Sequence, residues 1–258
     1  MGGAYAAYRR PDRRIAAHIR AALGPDVRTV VNVGAGAGSY ETVSATRAGE
    51  PEIAVTAVEP SASMRAQRPA HLPRAIDAVA ERLPFEGDAF DAAMTTFSVH
   101  QWSDAGAGLR EMRRVARGPV VVLTCDPDRV RDFWLYAYAP EVLDTEARRH
   151  PAVAELAGAL GGRTTVEAVP IPADCSDGFN EAYFARPECL LDPGARQACS
   201  AWSFVDDPVR ARFDERLRRD LADGTWDRRY GQLRTQRHFE GSLVIVRSVP
   251  SGCPLGSS

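Results

Sequence analysis

The feature that most constrains this chain is VVNVGAGAGSY, residues 30–40: strand-forming side chains that run straight into three alternating glycines, Gly34, Gly36 and Gly38. β-Branched residues favour an extended backbone. Glycine tolerates positive φ and lets another group come up against bare backbone. Where a strand gives way to a helix, such a pattern describes a loop built for close approach of a ligand. A dinucleotide fold wants G-x-G-x-x-G, with pyrophosphate at the helix N-terminus. Here the third glycine comes one place early, and Ser39 stands where that fingerprint has glycine. A GxGxG loop suits a ligand with no pyrophosphate to cradle. The loop alone leaves both ligand classes open.

The rest of the chain supplies a sheet around it. Ile15, Ala16, Ile19 and Leu23 recur at helical spacing over residues 11–23. RTVVNV (28–33), EIAVTAV (52–58), AIDAV (75–79), FDAAMTTF (90–97) and PVVVLTC (119–125) read as strands. Helices are expected near 39–47, after Ser61 as N-cap, and over 103–117 opened by Ser103 or Asp104. Strand alternating with helix predicts a parallel sheet with helices on both faces. TTVEAVPI (164–171) and GSLVIVRSV (241–249) are late strands, and the stretch 172–240 between them reads as mostly helical. An insertion so long is usually a lid or a pocket wall. PSGCPLGSS at the end reads as a disordered tail.

Composition narrows the chemistry. With 258 residues and 45% hydrophobic content, one domain with one sizeable core is the default. A net charge of −2, with no basic or acidic block, argues against nucleic acid as a partner. All 32 basic residues are Arg, which removes Schiff-base and lysine-base chemistry. No apolar stretch approaches the ~20 residues of a membrane span, and MGGAYAAYRRPDRRI lacks a signal-peptide hydrophobic region. Cys125, Cys175, Cys189, Cys199 and Cys253 are odd in number and widely spread, with no CxxC pair. Neither a zinc site nor a disulfide framework is indicated, and a cytoplasmic chain with reduced thiols is expected.

The second strand ends AVEP, which places Glu59 21 positions after Gly38. A carboxylate there accepts both hydroxyl protons of a ribose. NAD and S-adenosylmethionine both carry that ribose. The stretch VAERLPFEGDAFDAAMTTFSVHQW, residues 79–102, goes further. With NVGAGAG, VEPSASM, AERLPFEGDAFD and TTFSVHQW in order, residues 30–125 closely resemble the class I S-adenosylmethionine-dependent methyltransferases, small-molecule branch. That branch reads VLDxGxGTG, an acid at the second strand end, DAExLPFxDxxFD, then a strand and a His-containing turn. The flanks GGAYAAYRRPD and WDRRYGQLRT resemble actinobacterial methyltransferases of unassigned substrate.

The resemblance implies an α/β fold: a doubly wound, seven-stranded, mostly parallel sheet of the Rossmann-like methyltransferase kind, its last strand reversed. In one domain over 1–258, residues 1–23 would be an arm and helix, 24–171 the cofactor-binding core, and 172–240 a helical cap over the sheet's C-terminal edge. Residues 241–249 would be the last strand and 250–258 the tail. It implies methyl transfer from S-adenosylmethionine, leaving S-adenosylhomocysteine, to a small molecule of secondary metabolism, with no metal and no membrane partner. A homodimer is an allowed assembly. Cofactor contacts would fall on Gly34, Ala35, Gly36, Gly38, Glu59, Pro60, Ala80, Glu81 and Phe97. Tyr5 and Arg10 of the arm would fold over the cofactor, an arginine there pairing with the methionine carboxylate. His100, after the fourth strand, would take a proton from a hydroxyl, amine or activated carbon; packing on Trp102 or capping the next helix is the structural alternative. Tyr183 and Phe184 are the residues expected to face substrate.

Two positions depart from the family. Asn32 stands where Asp is frequent, keeping an acceptor but lowering local negative charge. Val79 stands where an Asp accepts from the adenine amino group, so that recognition would rest on the Ala80 N–H, with Glu81 as substitute acceptor. An NAD-type oxidoreductase needs the third glycine one position later. A non-catalytic partner subunit of the same fold would have lost Gly34, Gly36 and Glu59. A thiolate-bound metalloid acceptor would need clustered cysteines, which are absent.

Overall fold

The computed structural model describes residues 8–41 and 52–251. Tyr5, most of the helix expected near 39–47 and most of the tail lie outside the described residues. In chain order the elements are α1 (Arg13–Leu23), β1 (Thr29–Val33), β2 (Ala54–Val58), α2 (Ala62–Ala66), β3 (Ala92–Thr96), α3 (Ala105–Val115) and β4 (Val120–Cys125). There follow α4 (Pro140–Arg149), α5 (Val153–Leu160), β5 (Arg163–Ala168), β6 (Ile171–Pro172), α6 (Pro193–Gln197), α7 (Asp207–Ala222), α8 (Thr225–Tyr230), β7 (His238–Phe239) and β8 (Leu243–Val249). The described residues form two compact units, one of residues 16–124, 151–167 and 244 onward, the other of residues up to 15, 125–150 and 168–243.

The first unit carries the large sheet, in the order β2-β1-β3-β4-β8-β5. β1 runs parallel to both β2 and β3, with Val31 opposite Thr56 and Ala93, and β3 runs parallel to β4 with Met94 opposite Val121. The six strands fall one short of the seven expected. The run 75–79 makes only a single bridge, Ile76 to Val58, where the Ile76 N–H donates to Ala57 at 2.8 Å and the Glu59 N–H to Ile76 at 3.0 Å. Pro73 upstream has no N–H for a ladder, and Asp77 is drawn away to Arg65 at 2.7 Å. An edge kept this short offers little template for unwanted pairing.

The core of this unit follows from the strands' apolar runs. Strands buried on both faces read as near-continuous Val, Ile and Leu, and every residue of β4 is buried. Val31, Val33, Ala93, Val120, Val122, Val244 and Val246 pack with Leu109, Met112 and Val115 of α3 and Leu156 and Leu160 of α5. Asp104 starts α3 by accepting the Ala107 N–H at 2.8 Å, and Ser61 starts α2 by accepting that of Met64 at 3.4 Å. α1 buries Ala16, Ile19 and Leu23, and its Ala22 carbonyl accepts from Arg247 of β8 at 2.6 Å.

The second unit carries the helical insertion expected over 172–240, built in short pieces. α7 has 16 residues, α6 and α8 have five and six, and 3-10 segments at 180–183, 187–191, 200–204 and 231–235 supply the rest of its helix. Pro187 and Pro193 each open a segment, and Gly224, at φ +74°, closes α7. The unit also takes in α4 and residues 8–14. Arg9 pairs with the buried Asp177 at 2.6 Å, the Tyr8 carbonyl accepts from Gly178 at 2.8 Å, the Tyr8 hydroxyl donates to Asp192, and Arg14 joins Asp12 and Asp174. Aromatic pairs make its core: Trp134 edge-on to Trp226 at 5.6 Å, Trp202 edge-on to Phe213 at 4.8 Å, and Phe184 stacked on Phe239 at 5.3 Å. No helix among the described residues is long and apolar enough to cross a membrane.

A buried carboxyl in this second unit makes its stability pH-dependent. Glu181 accepts the Ser242 N–H at 2.9 Å and the Ser242 hydroxyl at 2.9 Å. Burial pushes its carboxyl up from 4.5 to about 7 against those hydrogen bonds, with the Glu146 charge adding to the rise. Between these values the folded chain keeps a proton that the unfolded chain has released, so this group's contribution falls as pH rises from about 4.5 to about 7 and is level above. Glu181→Gln removes the titration. Thermal melts of wild type and variant from pH 4.5 to 8 are expected to shift steadily in the variant's favour up to about pH 7; a difference independent of pH would contradict the assignment.

Candidate functional site

The carboxyl ends of parallel neighbours line up, and between β1 and β3 the strand order reverses direction. Open α/β sheets hold ligands at such a point. Three segments of the first unit leave the sheet there: 34–41 after β1, 59–61 after β2 and 97–102 after β3.

The three glycines do different things. Gly34 has φ +69°, and a Cβ there would lie 1.8 Å from Ser98 Oγ and 3.3 Å from Trp102 Nε1. Ser98 Oγ in turn accepts from that indole at 3.0 Å. The bareness of Gly34 is therefore required by the β3 turn packing on the β1 loop, whatever the loop's backbone meets. Gly38, at φ +88°, is likewise filled by Leu72, 2.4 Å from a Cβ. Gly36, at φ +54°, meets only the mobile end of Met64, at 3.2 Å, and keeps its bare face.

Glu59 organises the loop. Its Oε2 accepts the Gly36 N–H at 2.8 Å and its Oε1 accepts the Ser61 N–H at 2.8 Å. The Ala35 N–H donates to Val58 at 2.9 Å, and that of Gly38 to Ala35 at 2.9 Å. Three loop N–H groups, those of Ala35, Gly36 and Gly38, are thus engaged within the protein. Each Glu59 oxygen takes one of the two described donors, and a carboxylate oxygen has room for a second. The arrangement presents acceptors to a ligand where a phosphate cradle would present donors.

The β3 turn completes the site. Phe97 has φ +51°, and its N–H donates to Leu123 at 3.0 Å. A bulky residue in that conformation is strained, and such strain gathers at ligand sites. Its ring lies 6.2 Å from that of Tyr40. His100 is half-buried in the turn Val99–Gln101, which buried Val99 anchors. Asp104, not His100, caps the following helix. Glu81 Oε1 accepts from the Ser103 hydroxyl at 2.8 Å and the Asp104 N–H at 3.0 Å. Burial raises its carboxyl, and the Asp104 and Ser103 hydrogen bonds outweigh this and hold it below the usual value. One Glu81 oxygen is thus tied to the start of α3. Ala80 beside it is buried, and Pro60 is exposed with its carbonyl accepting from Arg65 at 2.8 Å.

The remaining expected residues belong to the second unit. Arg10 is exposed. Phe184 is fully buried against Phe239, so its ring has no surface for a substrate; Tyr183 is 7% exposed. Among the described residues no group of three or more His, Cys, Asp or Glu could hold a metal ion. Sequence reasoning missed Ser98, Trp102, Glu41, Arg65 and Arg68, which hold these loops. Nothing but proximity to the motifs marks them, since an arginine in a sequence reads as surface.

Residues 31–122 match the family model described as a methyltransferase domain. An uncharacterized protein, YafE of Escherichia coli K12, is 43% identical over 60 residues, a match that spans 22% of this chain and 29% of that relative. A candidate methyltransferase from an antibiotic biosynthesis pathway of Anabaena variabilis is 28% identical and superimposes with a TM-score of 0.84, over 94% of this chain and 99% of that one. An S-adenosylmethionine-dependent methyltransferase of Thermotoga maritima, a candidate histamine N-methyltransferase, shares the fold at 15% identity and a TM-score of 0.51, over 93% and 88% of the two chains.

The packing at Gly34 is open to a direct check. Gly34→Ala must displace Ser98 and strain the backbone, for a loss of roughly 2 kcal/mol or more and a melting temperature lower by roughly 4–8 °C. Gly36→Ala meets only a flexible methionine end and is expected to cost about half as much. Equal melting of the two variants would sink the distinction.

Proposed function

We propose, on the match of residues 31–122 to a methyltransferase domain, that the protein is a class I methyltransferase that transfers a methyl group from S-adenosylmethionine to a small molecule. The observation that carries this reading is the pairing of Glu59 with a loop in which the Ala35, Gly36 and Gly38 N–H groups are engaged. A ribose diol offers two O–H donors, which suit the second acceptor position on each Glu59 oxygen. A pyrophosphate needs free N–H groups, and those of Ala35, Gly36 and Gly38 already donate to protein acceptors. This favours adenosine without pyrophosphate over NAD.

Bound there, S-adenosylmethionine supplies a methyl group on a positively charged sulfur, a strong electrophile. The chain's own task is to hold partners in line and manage a proton. Glu59 takes the ribose, the bare face of Gly36 admits close approach, and the Ala80 backbone with the second Glu81 oxygen meets the adenine. Half-buried Phe97 supplies apolar surface at the β3 end, with the ring of buried Tyr40 beside it. His100, in a turn fixed by Val99 and by the Ser98–Trp102 hydrogen bond, takes the acceptor's proton where the acceptor is a hydroxyl. The full-length similarity to a protein of an antibiotic pathway supports an acceptor from secondary metabolism. The free thiols of Cys125, Cys175, Cys189 and Cys199 suit a reducing, cytoplasmic compartment.

Calorimetric titration tests the reading. S-adenosylhomocysteine is expected to bind and NAD not to. Glu59→Ala is expected to weaken S-adenosylhomocysteine about ten- to hundredfold, through loss of a charged acceptor. Binding of NAD in preference, or unchanged affinity in a Glu59→Ala protein that melts like wild type, would overturn it.

A further inference from the structure

The glycine loop is gripped from behind by a buried ion pair that no part of the proposed chemistry uses. Arg68 and Glu41 have side chains only 4% and 3% exposed. Arg68 Nη2 donates to Glu41 Oε2 at 2.7 Å and Nη1 to Oε1 at 3.0 Å, a two-pronged fit of fork to carboxylate. Asn32, buried in β1, donates its Nδ2 to the same Oε1 at 3.1 Å. The Glu41 N–H donates to Gly38 at 3.3 Å, and Arg68 Nη1 reaches the Gly36 carbonyl at 3.5 Å. Arg68 Nη2 also donates to Pro73 at 3.0 Å. One arginine therefore ties together strand β1, the carbonyl side of the ligand loop and the segment after α2.

Arg65, three residues earlier, does the same for the other lip. Its Nη1 donates to the carbonyls of Glu59 at 2.7 Å and Pro60 at 2.8 Å, and its Nη2 pairs with Asp77. Both backbone segments proposed to meet the cofactor are thus held by side chains of one short stretch, Arg65 to Arg68.

The charges in the buried part balance: one guanidinium, one carboxylate and one amide. A second carboxylate would lie beside Glu41 with no cation of its own, and a buried unpaired charge is strongly unfavourable. An amide at position 41 would leave Arg68 uncompensated for the same reason. Either change is relieved only if the loop moves and lets water in.

We propose that Asn32, Glu41 and Arg68 are positioning residues for the cofactor loop, and that position 32 holds an amide because the site has room for a single carboxylate. The inference rests on the S-adenosylmethionine reading. It predicts that the pocket needs one carboxylate for its one guanidinium. Asn32→Asp and Glu41→Gln alone each weaken S-adenosylhomocysteine by about tenfold or more, whereas the double variant Asn32→Asp/Glu41→Gln, which restores the charge balance but not the two-pronged fit, binds more tightly than either single. Calorimetry reads affinity, and thermal melts without ligand read the same coupling in stability. No binding by wild type would mean that the cofactor reading has failed. Binding by wild type with singles unaffected, or with a double variant worse than either single or unable to fold, would overturn the positioning role. A single variant that folds only in the company of the second change would support it.

Discussion

The site depends on one carboxylate facing two backbone N–H groups. Glu59 receives Gly36 from the first loop and Ser61 from its own turn. Hydrogen bonds to a charged acceptor contribute roughly 1.5–3 kcal/mol each, enough to fix a loop whose glycines would otherwise let it wander. The direction matters more than the strength. Because the Gly36, Ala35 and Gly38 N–H groups turn inward to Glu59, Val58 and Ala35, the bare face of Gly36 lies beside an acceptor, with its own donor engaged. The same glycine pattern with its N–H groups turned outward would be an anion site.

That loop is wedged among neighbours that leave it little choice. Ser98 fills the space beside Gly34, Leu72 that beside Gly38, and the Arg68–Glu41 pair closes the rear. Ser98 belongs to the turn that carries His100, so the cofactor side and the proposed proton acceptor share a contact at Gly34. The strained φ of Phe97 persists because its N–H is held by Leu123 of the fully buried β4. Rigidity of this kind suits an in-line transfer, where small errors of placement are costly in rate.

The first unit was legible from sequence because its signals are local and repeated. Apolar runs gave β1 to β4, Ser61 and Asp104 announced their helices, and the order of motifs placed Gly36 and Glu59 at adjacent strand ends. What failed was set by tertiary contact. Residues 75–79 look as strand-like as β2, yet Pro73 and the Arg65–Asp77 pair leave only Ile76 in the sheet. In 172–240 the expected helical insertion forms in short segments, opened at Pro187 and Pro193 and broken at Gly224, and Phe184 went into the core of its unit. At Gly34 a sequence does not reveal that Ser98, 64 positions away, occupies the space where a Cβ would lie.

The central claim is that Glu59 receives a ribose diol while the loop's own N–H groups stay engaged within the protein. A crystal structure with S-adenosylhomocysteine tests it most directly. The account predicts both ribose hydroxyls within hydrogen-bond distance of the Glu59 carboxylate, with the Gly36 N–H still on Oε2. A ribose placed elsewhere, or a Gly36 N–H turned outward to the ligand, would contradict it.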